Sequence, residues 1–319
     1  MKILIIQNRM GIGDLVMFTP YIEAISKKYN APVSIMVKKN TKASSFLKNS
    51  KFIKEIIYLE RDEANKKHSG ITGLFHLVKD LKVKNFDKIF IFNSSLRYFI
   101  VAKLSNIKNI YQYPLLKKKN QNIIEAAKEL IFNTLGQNVN STPKIQIDQN
   151  QVEKTKIKYF INNKINNIVL GTGGSGETKR VPAYIFLKFI RKIIEKYESR
   201  FFIVTGNSPG EIKILNEIIN SDLKEYCTPL NDLSIDDILP IIANCKIAVC
   251  NDTGFSHLSA AIGLKTIVLM ADTPLIYGSY SSNMYPILPQ GEKNVSHNTL
   301  GKDKLDPNEI FLKVVNLLG

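Results

Sequence analysis

The chain is poor in cysteine. Only Cys227, Cys245 and Cys250 occur in 319 residues, too few and too irregularly spaced for a disulfide framework or a Cys-x-x-Cys metal site. A reducing compartment is expected. Long apolar runs are also missing: the best, Ile262 to Ala271, is broken by Lys265 and falls short of the ~18 residues that a spanning helix needs. The opening MKILIIQ is too short for a signal-peptide core, and Gly11, Gly13 and Asp14 follow it at once instead of a cleavage site. A cytoplasmic protein is expected, at most peripheral to a membrane. Acidic residues are scarce as well, with 28 Asp and Glu against 44 Lys and Arg, a net charge of +16. With 44% hydrophobic and 23% charged residues, the composition is that of a folded globular chain and excludes wholesale disorder or a collagen-like fibre.

The charge is unevenly spread. Residues 1–148 carry 25 Lys and Arg against 11 Asp and Glu, an excess of +14, while residues 149–319 carry 19 against 17, an excess of +2. Such an excess speaks of partners: nucleic acid, an anionic membrane surface or a phosphorylated substrate. Lys38-Lys39, Lys66-Lys67 and Lys117-Lys118-Lys119 are the candidate patches, each to be weighed against an ordinary solvated lysine face. Lysine greatly outnumbers arginine, and no RNA- or DNA-binding signature accompanies the charge, so a nucleic-acid partner is not expected.

Apolar periodicity places strands at 2–7, 33–37, 52–59 and 88–92 and helices at 15–29, 74–81 and 123–135, the last ending at Gly136. Pro20 should kink the first helix or delay its start. Residues 138–151 are polar and lack periodicity, so the domain junction falls there, dividing 1–148 from 149–319. A second series follows, with strands at 168–170, 201–205, 247–250 and 266–270 and helices at 184–197, 209–221, 235–244, 257–263 and 307–318. Alternation of this kind implies two α/β halves with parallel sheets.

Three stretches carry candidate chemistry. Gly11-Ile-Gly-Asp14 follows the first strand. It is not a dinucleotide fingerprint, because Val16 stands where the third glycine belongs. Asp14 would lie in the crevice where open α/β sheets bind ligands, or would serve only the dipole and cap of the next helix. Gly171 to Pro182 combines small residues with Lys179 and Arg180 before a helix, a plausible anion cradle that lacks a Walker A pattern and competes with the reading of a solvated loop. Asn251 to Gly263 places Asp252, Thr253, Ser256 and His257 before a small-residue helix, where they could hydrogen-bond phosphate or sugar. Ser256 has no nucleophile-elbow context, and a lone histidine such as His257 is more often structural.

At these stretches the sequence resembles the heptosyltransferase family of glycosyltransferases, glycosyltransferase family 9. The opening KILIIQNRMGIGDLVMFTPYIEAI is similar to the family's strand, small-residue loop, Gly-Asp and Thr-Pro helix. NDTGFSHLSAAIG is similar to its Asp-Thr-Gly-x-x-His block, and ETKRVP to its Lys-Arg-Trp-Pro segment. The resemblance implies a GT-B architecture of two Rossmann-like domains facing a central cleft, the N-terminal one for the acceptor and the C-terminal one for a nucleotide-sugar donor. It implies inverting transfer with Asp14 as general base, in a loop shaped by Gly11 and Gly13. It implies donor contacts from Lys179, Arg180, Glu211, Asp252, Thr253, Gly254, Ser256 and His257. No Asp-x-Asp pair stands in a motif, and Lys179, Arg180 and the N-terminus of the small-residue helix can stabilise a leaving diphosphate, so no metal and no cofactor are expected. ADP-heptose is the implied donor and an anionic, lipid-linked lipopolysaccharide core the implied acceptor. Two departures stand out: Val181 replaces the usual tryptophan, and Met10-Gly11-Ile12 replaces a serine-rich loop. Another nucleotide sugar therefore stays open, as does a non-catalytic basic binding protein.

Overall fold

The structure is a computed structural model that describes residues 1–61, 66–115 and 122–319. Lys117, Lys118 and Lys119 lie outside these residues. The chain divides into two compact units, Met1–Pro143 and Lys144–Gly319. Ile145 N donates to Ala261 O at 2.9 Å, which ties the polar segment after Pro143 to the C-terminal unit.

The N-terminal unit runs β1 (Ile3–Ile6), α1 (Ile12–Lys28), β2 (Val33–Lys38), α2 (Ser44–Leu47), β3 (Ile53–Leu59), α3 (Gly70–Lys84), β4 (Lys88–Ile91), α4 (Leu96–Leu104), β5 (Asn109–Gln112) and α5 (Ile123–Leu135). Its sheet is parallel, in the order β3-β2-β1-β4-β5. Period-two alternation splits the strand residues between two buried faces. Leu4, Ile6, Ile89 and Ile91 pack with Leu77, Leu81, Tyr98 and Val101 of α3 and α4. Phe92 turns the other way and meets Phe18 of α1, ring centroids 5.2 Å apart.

Helix α1 differs from the expectation drawn from Pro20. It starts at Ile12 and continues through the proline. Proline removes the N–H that would pair with Val16 O, but the Thr19 hydroxyl donates to that carbonyl at 2.8 Å. The neighbouring side chain thus restores the hydrogen bond that the ring abolishes. At the other end of the unit, Asn122 caps α5 by accepting from Ile124 N and Glu125 N. Gly136, where the sequence ended this helix, closes it at φ 68°.

The C-terminal unit runs α6 (Gln149–Lys158), β6 (Asn166–Gly171), α7 (Ala183–Ile194), β7 (Ser199–Val204), α8 (Pro209–Ile219), β8 (Cys227–Pro229), α9 (Ile235–Ala243), β9 (Ile247–Asn251), α10 (Gly254–Ile262), β10 (Lys265–Leu269), β11 (Met284–Ile287) and α11 (Pro307–Leu318). Its parallel sheet has the order β11-β10-β9-β6-β7-β8. Ile168, Leu170, Phe201, Ile203, Val249 and Ile267 face α7, α8 and α11, while Val169, Phe202, Val204 and Ala248 face α9. Both units are therefore Rossmann-like, as the fold class implied. In each the chain builds outward from the first strand, returns, and builds the other way. That reversal lies between β1 and β4 in one unit and between β6 and β9 in the other, and it opens the crevice where such sheets take ligands.

Candidate functional site

All three sequence motifs sit at those reversals. In the N-terminal unit, Gly11 precedes α1 with φ 101°, a left-handed backbone that glycine adopts without strain. It lets the chain turn sharply from β1 into the helix and sets Asp14 in the first turn of α1. The Asp14 side chain is 16% exposed and accepts from Arg9 Nε at 2.8 Å. No side chain caps the helix here, so Asp14 is not spent on the cap, although the dipole favours its charge. Beside it, Asn93 Nδ2 of the loop after β4 donates to Asn8 Oδ1 at 2.9 Å, joining the two strand ends at the reversal.

The C-terminal unit gathers more polar groups. Asp252 follows β9, 6% exposed. Its Oδ2 accepts from Thr273 Oγ1 at 2.6 Å and from Lys179 Nζ at 3.3 Å, and its Oδ1 lies 3.5 Å from His257 Nε2. Burial pushes the carboxyl up, but His257, Lys179 and Thr273 outweigh burial and hold it far below the usual carboxylate range. His257 is also buried, with Nδ1 2.9 Å from the Tyr280 hydroxyl and the two rings stacked. Both ring nitrogens thus have partners, and the histidine buttresses Asp252. Thr253 caps α10 in a capping box whose other member is Ser256. The Ser256 hydroxyl donates to Thr253 O at 2.8 Å, and the residue is fully buried. Its place is in the helix cap, where the sequence had offered it as a ligand contact. Helix α10 begins at Gly254, three residues earlier than the sequence implied, which brings its N-terminal N–H groups to the strand ends.

Glu211 lies at the start of α8. Its Oε1 accepts from Gly174 N at 2.9 Å and its Oε2 from Ser208 N at 3.1 Å and Ser208 Oγ at 2.6 Å. Burial pushes the carboxyl up; the hydrogen bonds and the nearby Arg180 charge more than offset this, and it stays ionised below its ordinary range. The close fit depends on Gly206, where a Cβ would stand 2.5 Å from Glu211 Oε2. Arg180 turns toward Glu211 and the backbone of Gly210, whereas Lys179 turns toward Asp252. The two cations of the motif thus serve different carboxylates.

Asn251 Nδ2 donates to Thr172 O at 2.9 Å and Gly173 O at 3.0 Å, fastening the loop after β6 to the end of β9. Around it, Thr172 Oγ1, Thr205 Oγ1 and Asn251 Oδ1 are buried without hydrogen-bond partners among the described residues. An orphaned buried polar atom costs about 1–3 kcal/mol, and these three, at the ends of adjoining strands, are free to pair with a polar ligand. Thr273, Tyr280 and Thr205 were not singled out in the sequence. Thr205 and Thr273 left a signal, since each stands at or just after the carboxyl end of a strand; Tyr280 left none. Val181, the departure from tryptophan, is fully buried in the core cluster with Phe186 and Phe189, so that change falls in packing and not on an exposed wall. The cysteines take no part: burial pushes the Cys227 and Cys250 thiols to about 12.

The family model described as glycosyltransferase family 9 (heptosyltransferase) matches residues 76–302, more than two thirds of the chain. The loop bearing Asp14 precedes that match. Lipooligosaccharide heptosyltransferase 2 of Haemophilus influenzae is 29% identical over 100 residues, 31% of this chain but only 29% of that protein. Lipopolysaccharide heptosyltransferase 1 of Campylobacter coli is 21% identical over 332 aligned residues, covering 96% of this chain and 94% of that one. Among solved structures, the E. coli ADP-heptose LPS heptosyltransferase II superposes with a TM-score of 0.73 at 20% identity, covering all of this chain and 98% of the other.

Proposed function

Because the chain belongs to glycosyltransferase family 9, the heptosyltransferases, we propose that it transfers heptose from ADP-heptose to a lipopolysaccharide core or related lipid-linked glycan. The observation that carries this reading is the network of part-exposed Lys179 with buried Asp252, Thr273 and His257, beside orphaned polar atoms at the β6, β7 and β9 ends. Its chemistry suits a nucleoside diphosphate. Lys179 offers a charge-assisted hydrogen bond to diphosphate oxygens, and α10 aims backbone N–H groups and its positive dipole end at the same charge. Asp252 fixes the position of the Lys179 ammonium. Glu211, whose carboxylate has lone pairs left beyond those used by Gly174 and Ser208, accepts the ribose hydroxyls. Thr253 and Gly254 line the helix start.

The reaction is a single displacement with inversion. An acceptor hydroxyl oxygen bonds to the anomeric carbon while the bond from that carbon to the diphosphate oxygen breaks. Asp14 takes the hydroxyl proton, with Arg9 orienting the carboxylate, and ADP leaves with the electron pair. The transition state resembles an oxocarbenium ion, as in glycoside hydrolysis. Lys179 and α10 stabilise the charge growing on the leaving group, which is where preorganised donors contribute most. The scheme uses protein groups alone, so turnover is expected to persist in EDTA. The basic N-terminal unit suits an anionic acceptor presented at the cytoplasmic face of a membrane.

A thermal-shift panel of ADP, UDP and GDP tests the donor assignment. Selective stabilisation by ADP, growing with concentration as mass action requires, supports it. Selective stabilisation by UDP or GDP would replace ADP-heptose with another nucleotide sugar.

A further inference from the structure

Helices α3 and α4 pack side by side on one face of the N-terminal sheet, and both carry exposed apolar side chains on the side away from it. In α4, Tyr98, Val101 and Ala102 point inward. Leu96, Ile100 and Leu104 recur one turn apart on the opposite side. In α3, Leu77, Val78 and Leu81 point inward, while Ile71, Phe75 and Val83 point outward. These six side chains are 37–80% exposed. Single exposed apolar residues are ordinary, but a group on adjoining helices marks an interaction surface.

The charges around the group say what it fits. Lys79, Lys82 and Lys103 are exposed on the same outward side. The only acid in either helix is Asp80, and its carboxylate is held by Lys67 at 2.6 Å and lies 3.1 Å from His68 Nε2. A second copy of this face would set lysine against lysine with no outward acid on either helix to neutralise them. An anionic bilayer satisfies both features. Lysine stems lie along apolar surface with their ammonium groups at the phosphates, and the apolar side chains enter the acyl boundary. The whole N-terminal half supplies a field of the right sign, +14 over residues 1–148. No helix among the described residues is long and apolar enough to cross a membrane, so a contact here lies on the surface.

We propose that the outward face of α3 and α4 docks the chain on anionic phospholipid. The inference rests on the reading of a lipid-linked acceptor, because docking brings the acceptor-binding unit to the surface that holds such a molecule. The test is co-sedimentation of the full chain with vesicles of phosphatidylcholine alone or mixed with phosphatidylglycerol, at low and high salt. The wild type should bind the mixed vesicles, lose binding as salt rises, and bind pure phosphatidylcholine weakly. Ile100→Gln with Leu104→Gln, which leaves the charge unchanged, should weaken binding about tenfold or more, with thermal stability and ADP release on a water-soluble acceptor unchanged. Lys79→Gln with Lys82→Gln should mainly flatten the salt dependence.

Equal vesicle binding by the Ile100/Leu104 variant, or no binding by the wild type, would overturn the proposal. So would a wild-type dimer in light scattering that this variant splits, since the occupant would then be a second copy. Failure of the transferase reading registers separately, as absence of ADP release from wild type and variant alike while vesicle binding persists.

Discussion

Replacing Lys179 with alanine separates donor recognition from folding. The Lys179 ammonium lies 3.3 Å from Asp252 Oδ2 and its side chain is 24% exposed. Asp252 keeps Thr273 and His257 when the lysine is removed, so no buried carboxylate is stranded. A partly exposed ion pair contributes about 0–1 kcal/mol to stability. For a unit of this size that corresponds to a fall in Tm of no more than about 2–4 °C. In the proposed role the same ammonium would give the diphosphate a charge-assisted hydrogen bond worth about 1.5–3 kcal/mol, or about 10- to 150-fold in kcat/KM at 1.4 kcal/mol per decade. The loss should fall on kcat as well as on KM, because leaving-group charge grows in the transition state. The assay is ADP release against donor concentration, with a melting curve on the same preparation. Lys179→Ala with kcat/KM within twofold of wild type would refute the role given to the network, as would a collapse in Tm without any specific loss for the donor.

Asp14→Asn should fold, give the same ADP thermal shift and lose about 10²–10⁴-fold in kcat; near wild-type turnover would remove Asp14 from the mechanism. Thr273→Val removes the 2.6 Å hydrogen bond to Asp252 and should cost about 1.5–3 kcal/mol, the range for bonds to charged groups. The Asp252 carboxyl is held below its ordinary value of 3.8, so its stabilisation is fully present above pH 3.8 and fades as pH falls below it. The Tm gap between wild type and Thr273→Val should therefore be constant at neutral pH and narrow in acid; a gap that widens in acid would reverse the sign of the argument. Thr19→Val leaves the Val16 carbonyl buried and unpaired beside Pro20, and should destabilise the N-terminal unit by about 1–3 kcal/mol in urea unfolding. An unchanged midpoint would mean the hydroxyl does not rescue the helix.

The parallel sheets were legible because buried strands such as ILII and IAVC are short apolar runs between glycine-rich loops, and the three loops with chemistry fell at the strand ends. Continuity of α1 was hidden, since the rescue of Pro20 depends on the rotamer of Thr19 and not on any period. β8 and β11 have three and four residues and include prolines, too little to read as strands. Lys179 and Arg180 were adjacent in the motif, yet the loop after β6 sends them to different carboxylates. Two partners of Asp252, Lys179 and Thr273, arrive from the segments after β6 and β10, and Tyr280 joins the network through His257, distances that spacing does not encode. Ser256 illustrates the opposite case: a polar residue in the motif is consumed by the helix cap. Of the basic runs, Lys66-Lys67 lies beside Asp80, with Lys67 paired to it, whereas the lysines that flank an apolar surface are isolated ones on α3 and α4.

The most direct measurement of the central claim is mass analysis of a core-truncated lipopolysaccharide acceptor incubated with the purified chain and ADP-heptose. Addition of one heptose per acceptor, with stoichiometric release of ADP and inversion at the anomeric carbon, is the predicted result. An acceptor that stays unchanged with ADP-heptose but grows with a UDP- or GDP-linked sugar, or a product that retains the donor's anomeric configuration, would contradict it.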